Sequence, residues 1–241
     1  MTNRNILVRT FDAIDPTISD QRIIVGILAI ILPVLTLAYG LVSRRLMPTI
    51  SEYYYTGARD AFEGTLCVTG FFLVTYKGPY PREAILTAIC GIAGLMVALF
   101  PCYTAVVFDP PLPARVGLLN LPVMMSNTAH ITSAACFFIL LGVNCLAFCF
   151  DDPVGTNVIP GLRNGESTAS RIVYVVCAIL IFGSVIALAI LSRWPASEEG
   201  IWRWFCETVA LVAFSVSWFA KGKAIQRIVK CGKNALLGMK A

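Results

Sequence analysis

The sequence predicts an all-α polytopic membrane protein, a transmembrane helical bundle with about six spans. Of its 241 residues, 57% are hydrophobic and only 14% are charged, whereas soluble domains carry roughly 25% charged residues. The mean hydropathy is +0.76, and the apolar residues are concentrated in long runs. Because a water-exposed surface needs more charged residues than this, the composition excludes an ordinary soluble domain.

Four apolar runs contain no charged residue and reach the roughly 17–25 residues that cross a hydrocarbon core of ~30 Å. Two further runs are also long and apolar, but they carry charged residues near one end. The alternating pattern of a transmembrane barrel is absent. We therefore predict six helical spans, over residues 23–43, 58–77, 84–108, 128–150, 171–192 and 201–220.

Lys and Arg residues are unevenly distributed between the two ends of the predicted spans. With the N-terminus inside, thirteen of them lie on the inner side and six on the outer side, and the C-terminal tail accounts for the difference. Because cytoplasmic segments carry the excess of Lys and Arg, we expect both termini in the cytoplasm. The second, fourth and sixth spans then begin at the outer side.

The segments that flank the spans carry the remaining predictions of domain organisation. Residues 1–22 form a polar cytoplasmic N-terminal segment without the cleavage site of a signal peptide. Residues 221–241 interleave basic and apolar residues, so we expect an amphipathic tail that binds anionic lipids of the inner leaflet. The nine cysteines include no CxxC pair, which favours small apolar helix residues over a disulfide framework.

Polar residues at the outer ends of three spans form the candidate site. The second, fourth and sixth spans all place charged or polar side chains at one depth, and the loop before the second span adds a serine and three tyrosines. A charged side chain within the membrane costs roughly 2.5–3.5 kcal/mol on insertion scales, so such residues usually line a cavity or pair with each other. The predicted ligand-binding residues are Ser51, Tyr54, Arg59, Asp60, Glu63, His130, Arg203 and Glu207.

Other interpretations of the same residues remain open. Pairs at helical spacing, such as Arg59 with Glu63, also suit structural clamps between helices. Carboxylates from two spans suit a hard cation, and Ser51 with His130 and Asp60 suits a hydrolytic triad, although no nucleophile motif supports one. His130 is the only histidine, which excludes a bis-histidine haem and a three-histidine zinc site. We expect no metal and no cofactor.

A family resemblance rests on short motifs in residues 23–150. Pro48-Thr49-Ile50-Ser51 follows the first span, and His130 with Ala134, Phe137 and Phe138 lies in the fourth. These segments resemble the Frag/DRAM/Sfk group of six-span membrane proteins and related uncharacterised bacterial membrane families. The resemblance implies a six-span plan and a role connected with membrane lipids. It implies no common catalytic mechanism and no active site.

The leading functional hypothesis is therefore a multi-pass protein of the plasma (inner) membrane that binds or handles a lipid or another amphiphile in an outer-leaflet polar pocket. The alternatives are a cation- or proton-coupled carrier, which uses the intramembrane carboxylates, and a membrane-embedded lipid hydrolase; enzymatic activity is not the expectation. The inner halves of the predicted spans contain few ionisable groups, which argues against the carrier. We expect membrane lipids as partners, no nucleic acid, and a possible homo-oligomer.

Overall fold

The computed structural model describes residues 18–78, 80–150, 168–193 and 200–222, and these residues are mostly helical. A 3-10 helix over Ser51–Tyr55 follows the first α-helix. Two strands of two residues, β1 (Arg115–Val116) and β2 (Leu121–Pro122), form an antiparallel hairpin before the fourth. The six α-helices are α1 (Ile18–Val42), α2 (Arg59–Thr75), α3 (Pro81–Leu99), α4 (Val123–Phe150), α5 (Thr168–Leu191) and α6 (Trp202–Lys221).

Four of the described helices, α1, α3, α4 and α5, are long and apolar enough to cross a membrane. These four helices indicate a membrane protein, as the sequence predicts. Helix α2 has only 17 residues. Helix α6 has 20 residues, but Arg203, Glu207 and Lys221 lower its hydropathy. They correspond to the two predicted spans, 58–77 and 201–220, that carry charged residues near one end.

The six helices form an up-and-down ring. Each helix packs against its neighbours in the sequence, and α6 packs against α1 to close the ring. The closing contact is antiparallel, because Ser19 Oγ donates a hydrogen bond of 2.6 Å to the Gly222 carbonyl at one end. At the other end, Trp204 Nε1 donates one of 3.2 Å to Thr36 Oγ1. We call the end where α1 begins and α6 ends the lower end, and the opposite end the upper end.

Glycines allow close contacts between neighbouring helices. A Cβ atom added to Gly91 of α3 would lie 2.6 Å from the Gly70 carbonyl oxygen of α2. A Cβ atom on Gly142 of α4 would lie 2.7 Å from the Phe182 ring of α5. Small residues at such contacts are typical of helices that pack in membranes.

The helix bounds differ from the predicted spans at two places that affect the site. Helix α3 ends at Leu99, not at residue 108; Pro101 follows, and proline cannot donate the backbone hydrogen bond that a helix needs. Residues 100–122 instead form an irregular connection and the hairpin over the upper end. Helix α1 begins at Ile18, five residues before the predicted span, and therefore includes Arg22.

Parts of the predicted terminal segments lie outside the described residues. These are residues 1–17 of the N-terminal segment and residues 223–241 of the amphipathic tail. Residues 18 and 222, the first and last described residues, lie at the lower end of the ring. The connection between the fourth and fifth predicted spans, residues 151–170, falls mostly on residues 151–167, which are also outside the described ranges.

Candidate functional site

An open cavity of about 380 Å³ lies at the upper end, between α4, α5, α6 and the segment that enters the 3-10 helix. Its polar lining comes from the upper ends of these elements: Thr49, Ser51, Glu52, Asn127, His130, Ser192, Arg193, Arg203 and Glu207. Its apolar lining lies on α4 and α5: Ile131, Ala134, Ala135, Phe138, Val185, Leu188 and Ala189.

The polar and apolar linings are separated along the helix axes. Helix α4 descends from Asn127 and His130 to Phe138, whereas α5 rises from Val185 to its end at Leu191, just before Arg193. Because the two helices are antiparallel, their polar residues meet at the upper end and their apolar residues lie below. Ile131 on α4 and Ala189 on α5 are both exposed, so the cavity opens between these two helices at the side of the ring. The cavity is therefore amphipathic and laterally accessible.

Glu52 is the most buried charged residue of the cavity, with 2% of its surface exposed. Its carboxylate accepts hydrogen bonds from Thr104 Oγ1 at 2.7 Å and from Thr49 Oγ1 at 3.3 Å. Its Oε1 atom also lies 3.5 Å from Arg203 Nη2. Sequence reasoning missed Glu52 as a site residue. The sequence contained one signal, because Thr49-x-x-Glu52 has the spacing of a capping box. In the structure, the Glu52 backbone N–H donates a hydrogen bond of 3.0 Å to Thr49 Oγ1.

Glu207 and Arg203 lie one helical turn apart on α6 and connect it to the loop above. Glu207 Oε2 accepts a 2.5 Å hydrogen bond from the backbone N–H of Ile50. The Nε atom of Arg203 is buried and has no hydrogen-bond partner among the described residues. Arg203 is thus held at the cavity by Glu52, and its Nε donor has no partner among the described residues.

His130 is fixed in one tautomer by the end of α3. Its Nδ1 atom lies 2.6 Å from the Phe100 carbonyl oxygen, and because a carbonyl can only accept, Nδ1 carries the hydrogen. The ring is 4% exposed and lines the cavity with Ser51. Among the described residues, no hydrogen bond joins Ser51 to His130.

The other predicted site residues lie together elsewhere at the upper end. Arg59 Nη2 donates a 2.7 Å hydrogen bond to the Tyr54 hydroxyl, and its guanidinium lies 4.3 Å from the centre of the Tyr54 ring. Arg59 also pairs with Glu63 at 3.3 Å, while Asp60 is exposed. Burial raises the pKa of Tyr54, against the opposing effect of Arg59. The structure thus divides the eight predicted residues: Ser51, His130, Arg203 and Glu207 line the cavity, and the other four do not.

A second buried polar cluster, at the lower end, has no counterpart in the sequence prediction. Arg22 Nη2 pairs with Glu83 Oε1 at 2.8 Å, and Arg22 Nε donates to the Tyr76 hydroxyl at 2.7 Å. Lys221 is also buried here, 5.2 Å from the centre of the Phe148 ring. The inner halves of the predicted spans contain few ionisable groups, but Arg22, Glu83 and Lys221 each lie one residue outside a predicted span and are buried in the bundle. Arg22 and Glu83 lie next to the ends of predicted spans. The sequence does not show whether a charged residue at such a position belongs to the loop or to the helix.

No group of three His, Cys, Asp or Glu side chains within the described ranges is placed to hold a metal ion. The cation site considered from the sequence is not assembled, because Glu207 lines the cavity whereas Asp60 and Glu63 lie on α2. In comparisons with known proteins, no family model matches the chain, and no curated protein or solved structure gives a significant match.

Proposed function

We propose that this chain is a six-span integral membrane protein that binds a lipid or a related amphiphile in the upper cavity. The observation that carries the proposal is the division of the cavity into a charged upper part and an apolar lower part that opens to the side of the ring. A membrane lipid has the same division between headgroup and acyl chain. The family resemblance in residues 23–150 points to the same class of ligand.

The packing of α2 and α6 supports six spans. Helix α2 lies between α1 and α3, and α6 lies between α5 and α1. At 1.5 Å per residue, α2 is about 25 Å long and α6 about 30 Å. Both lengths fall within the range of roughly 17–25 residues that crosses a hydrocarbon core. The proposed topology has the lower end in the cytoplasm, at the plasma (inner) membrane, as the distribution of basic residues indicates.

The charges of the cavity favour an anionic headgroup. Arg203 has an unpartnered Nε donor, and Arg193, two residues after the end of α5, also lines the cavity. A guanidinium group binds phosphate with two parallel hydrogen bonds. The acyl chain then packs against Ala134, Phe138 and Leu188. Glu52 positions Arg203, with which it forms an ion pair. Glu207 positions the loop above, because it accepts a hydrogen bond from the backbone N–H of Ile50.

The hydrolase hypothesis gains no support from the geometry. A serine nucleophile needs a base within hydrogen-bond reach, and the described contacts of Ser51 and His130 include no such bond. Asp60, the third member of the suggested triad, is exposed on α2. The carrier hypothesis relied on Asp60, Glu63 and Glu207, and of these only Glu207 lines the cavity.

Lipid binding by matched arginine variants tests the proposal. Full-length protein in phosphatidylcholine nanodiscs is titrated with phosphatidylglycerol, and bound lipid is counted by native mass spectrometry. We expect Arg203→Gln to weaken binding about tenfold, which corresponds to roughly 1.4 kcal/mol. Arg59→Gln, which removes an arginine that pairs with Glu63 and does not line the cavity, should bind like the wild type. Equal binding by all three proteins, or a loss only in Arg59→Gln, would reject the cavity as the site.

A further inference from the structure

One face of α3 connects the lower cluster with the middle of the ring. Glu83, Thr87, Cys90, Gly94 and Val97 follow each other at spacings of three or four residues, which places them on one side of a helix. Glu83, Thr87 and Cys90 are fully buried. At 1.5 Å per residue, this face runs about 21 Å from Glu83 to Val97. Its lower part is polar, although it lies inside the bundle.

A small void lies at the upper end of this face. Its volume is about 30 Å³, and Val97, Phe137 and Leu211 form part of its apolar wall. Ser51 and Glu207 line both this void and the open cavity. A void of this size with two polar groups in its wall accommodates one water molecule. Glu207 is therefore the carboxylate between the open cavity and the interior.

Two buried side chains with a dissociable or hydrogen-bonding hydrogen, those of Cys90 and Thr87, lie between the void and Glu83 along α3. The Cys90 thiol donates to the Phe137 carbonyl at 3.7 Å, and Phe137 also borders the void. One turn lower, Thr87 Oγ1 donates to Asn144 Oδ1 at 3.2 Å. Thr87 and Glu83 are four residues apart on α3, so their side chains are neighbours on the helix surface.

Glu83 is held at the lower end with one oxygen unpartnered. Its Oε1 atom accepts hydrogen bonds from Arg22 at 2.8 Å and from the Tyr76 hydroxyl at 2.5 Å. Its Oε2 atom is buried and has no hydrogen-bond partner among the described residues. A buried, unpartnered acceptor is rare in proteins. Buried carboxyl groups within membrane segments commonly belong to proton relays.

We propose that the α3 face is a proton path between the upper cavity and the lower end, with Glu207 and Glu83 as its terminal carboxyl groups. A proton binds a Glu207 oxygen, passes to water in the void and then through the Cys90 thiol and Thr87 hydroxyl, and reaches Glu83 Oε2. Each new O–H or S–H bond forms as the previous one breaks, and a proton leaves Glu83 at the lower end. The charged and titratable groups nearby are Glu52, Arg203 and His130 above, and Arg22, Tyr76 and Lys221 below.

The apolar wall of the void acts as the gate of this path. Leu66, Phe137 and Leu211 separate Glu207 from the polar lower part of the ring. Apolar constrictions in channels close by excluding water and open when water enters. The proposal adds an activity to lipid binding and does not depend on it. A lipid in the upper cavity lies beside Glu207, where it controls access of water to the void.

Proton flux into liposomes tests the path. Full-length protein is reconstituted with the pH dye pyranine inside, and a potassium diffusion potential is applied with valinomycin. Wild-type protein should change the internal pH about tenfold faster than protein-free liposomes do, and Glu83→Gln and Glu207→Gln should return the rate to the protein-free level. Glu63→Gln is the matched control, because Glu63 pairs with Arg59 away from the ring axis.

A second variant covers the possibility that Glu83→Gln does not fold. Thr87→Val keeps the shape of the side chain and removes its hydroxyl, so it should also lower the flux about tenfold while its elution profile and thermal stability stay like the wild type. A wild-type rate equal to that of protein-free liposomes would overturn the proposal. So would unchanged flux in Thr87→Val and Glu207→Gln. Lipid binding, measured on the same preparations, reports on the upper cavity independently.

Discussion

Arg22 and Glu83 form a buried ion pair of 2.8 Å that joins the start of α1 to the start of α3. Their side chains are 9% and 1% exposed, and Tyr76 bonds to both. A buried pair of this kind stabilises little relative to an apolar pair of similar volume. Removing one partner costs far more, because the other charge stays buried without compensation.

Replacing one member of this pair should therefore destabilise the ring more than replacing both. We expect Arg22→Leu to lower the free energy of unfolding by about 3–5 kcal/mol. The double variant Arg22→Leu/Glu83→Leu should regain most of this loss. Thermal unfolding in detergent measures both changes. A double variant as unstable as the sum of its single variants would contradict the coupling.

A surface ion pair provides the control for these single and double substitutions. Arg59 and Glu63 lie 3.3 Å apart but are 48% and 31% exposed. Exposed pairs contribute only about 0–1 kcal/mol. Glu63→Leu, which leaves the contacts of Arg59 with Tyr54 in place, should therefore leave the unfolding temperature nearly unchanged. A loss as large as that of Arg22→Leu would show that the assay reports charge removal in general.

The close contact of α2 with α3 should not tolerate a methyl group. A Cβ atom on Gly91 would lie 2.6 Å from the Gly70 carbonyl oxygen and 2.7 Å from the Val74 nitrogen. Both neighbours are backbone atoms and move only with the helix, so we expect Gly91→Ala to cost about 1–3 kcal/mol. Gly183→Ala is the control, because no atom lies within 4 Å of the added methyl. Equal unfolding temperatures for the two variants would disprove this packing.

The stability of the fold should depend on pH through Tyr55, the last residue of the 3-10 helix at the upper end. The Tyr55 hydroxyl donates a 2.5 Å hydrogen bond to the Cys102 carbonyl, and burial raises the pKa of Tyr55 well above its ordinary value. An acid whose pKa is raised by folding stabilises the fold fully below its unfolded pKa, about 10 for tyrosine. This stabilisation is lost as the pH rises through the folded pKa.

We therefore expect the unfolding temperature to fall above about pH 10. Tyr55→Phe should be less stable at neutral pH by about 1 kcal/mol, the net contribution of a hydrogen bond. It should also lose less stability between neutral and alkaline pH. Thermal scans of both proteins across this range provide the test. Identical alkaline losses would show that Tyr55 does not contribute.

Cysteine labelling tests whether α2 and α6 cross the membrane. In a background without the native cysteines, single cysteines are placed at Ser43, Lys77, Pro111 and Lys240 and labelled with a membrane-impermeant maleimide. Six spans predict that Ser43 and Pro111 react from one side and that Lys77 and Lys240 react from the other. Labelling of Ser43 and Lys77 from the same side would exclude α2 as a span.

The helices were predictable because long apolar runs dominate the sequence. The end of α3 was not predicted, since residues 102–108 remain mostly apolar and Pro101 was the only breaking signal. The short hairpin was also missed, because each of its strands has only two residues. Hydropathy thus located the helices but not the connections that form the roof of the cavity.

The site was predicted in part because its residues share one depth in the membrane. Spacing along a helix gives depth, but it does not show which side of the ring a residue faces. Arg59 and Arg203 therefore looked equivalent, although only Arg203 lines the cavity. Glu52, Arg22 and Glu83 were missed for a related reason: each lies in or next to a predicted loop, where a charge is expected to be solvated.

Photo-crosslinking of a bound lipid tests the amphiphile-binding cavity most directly. A phosphatidylglycerol with a diazirine in its acyl chain is irradiated with full-length protein in nanodiscs, and labelled peptides are mapped by mass spectrometry. We expect the label in residues 127–138 and 185–193, and we expect Ala135→Trp to remove it because the indole fills the cavity. Ile139→Trp, on an exposed part of α4, should not. Label spread evenly over all six helices and unchanged by Ala135→Trp would contradict a lipid site in this cavity.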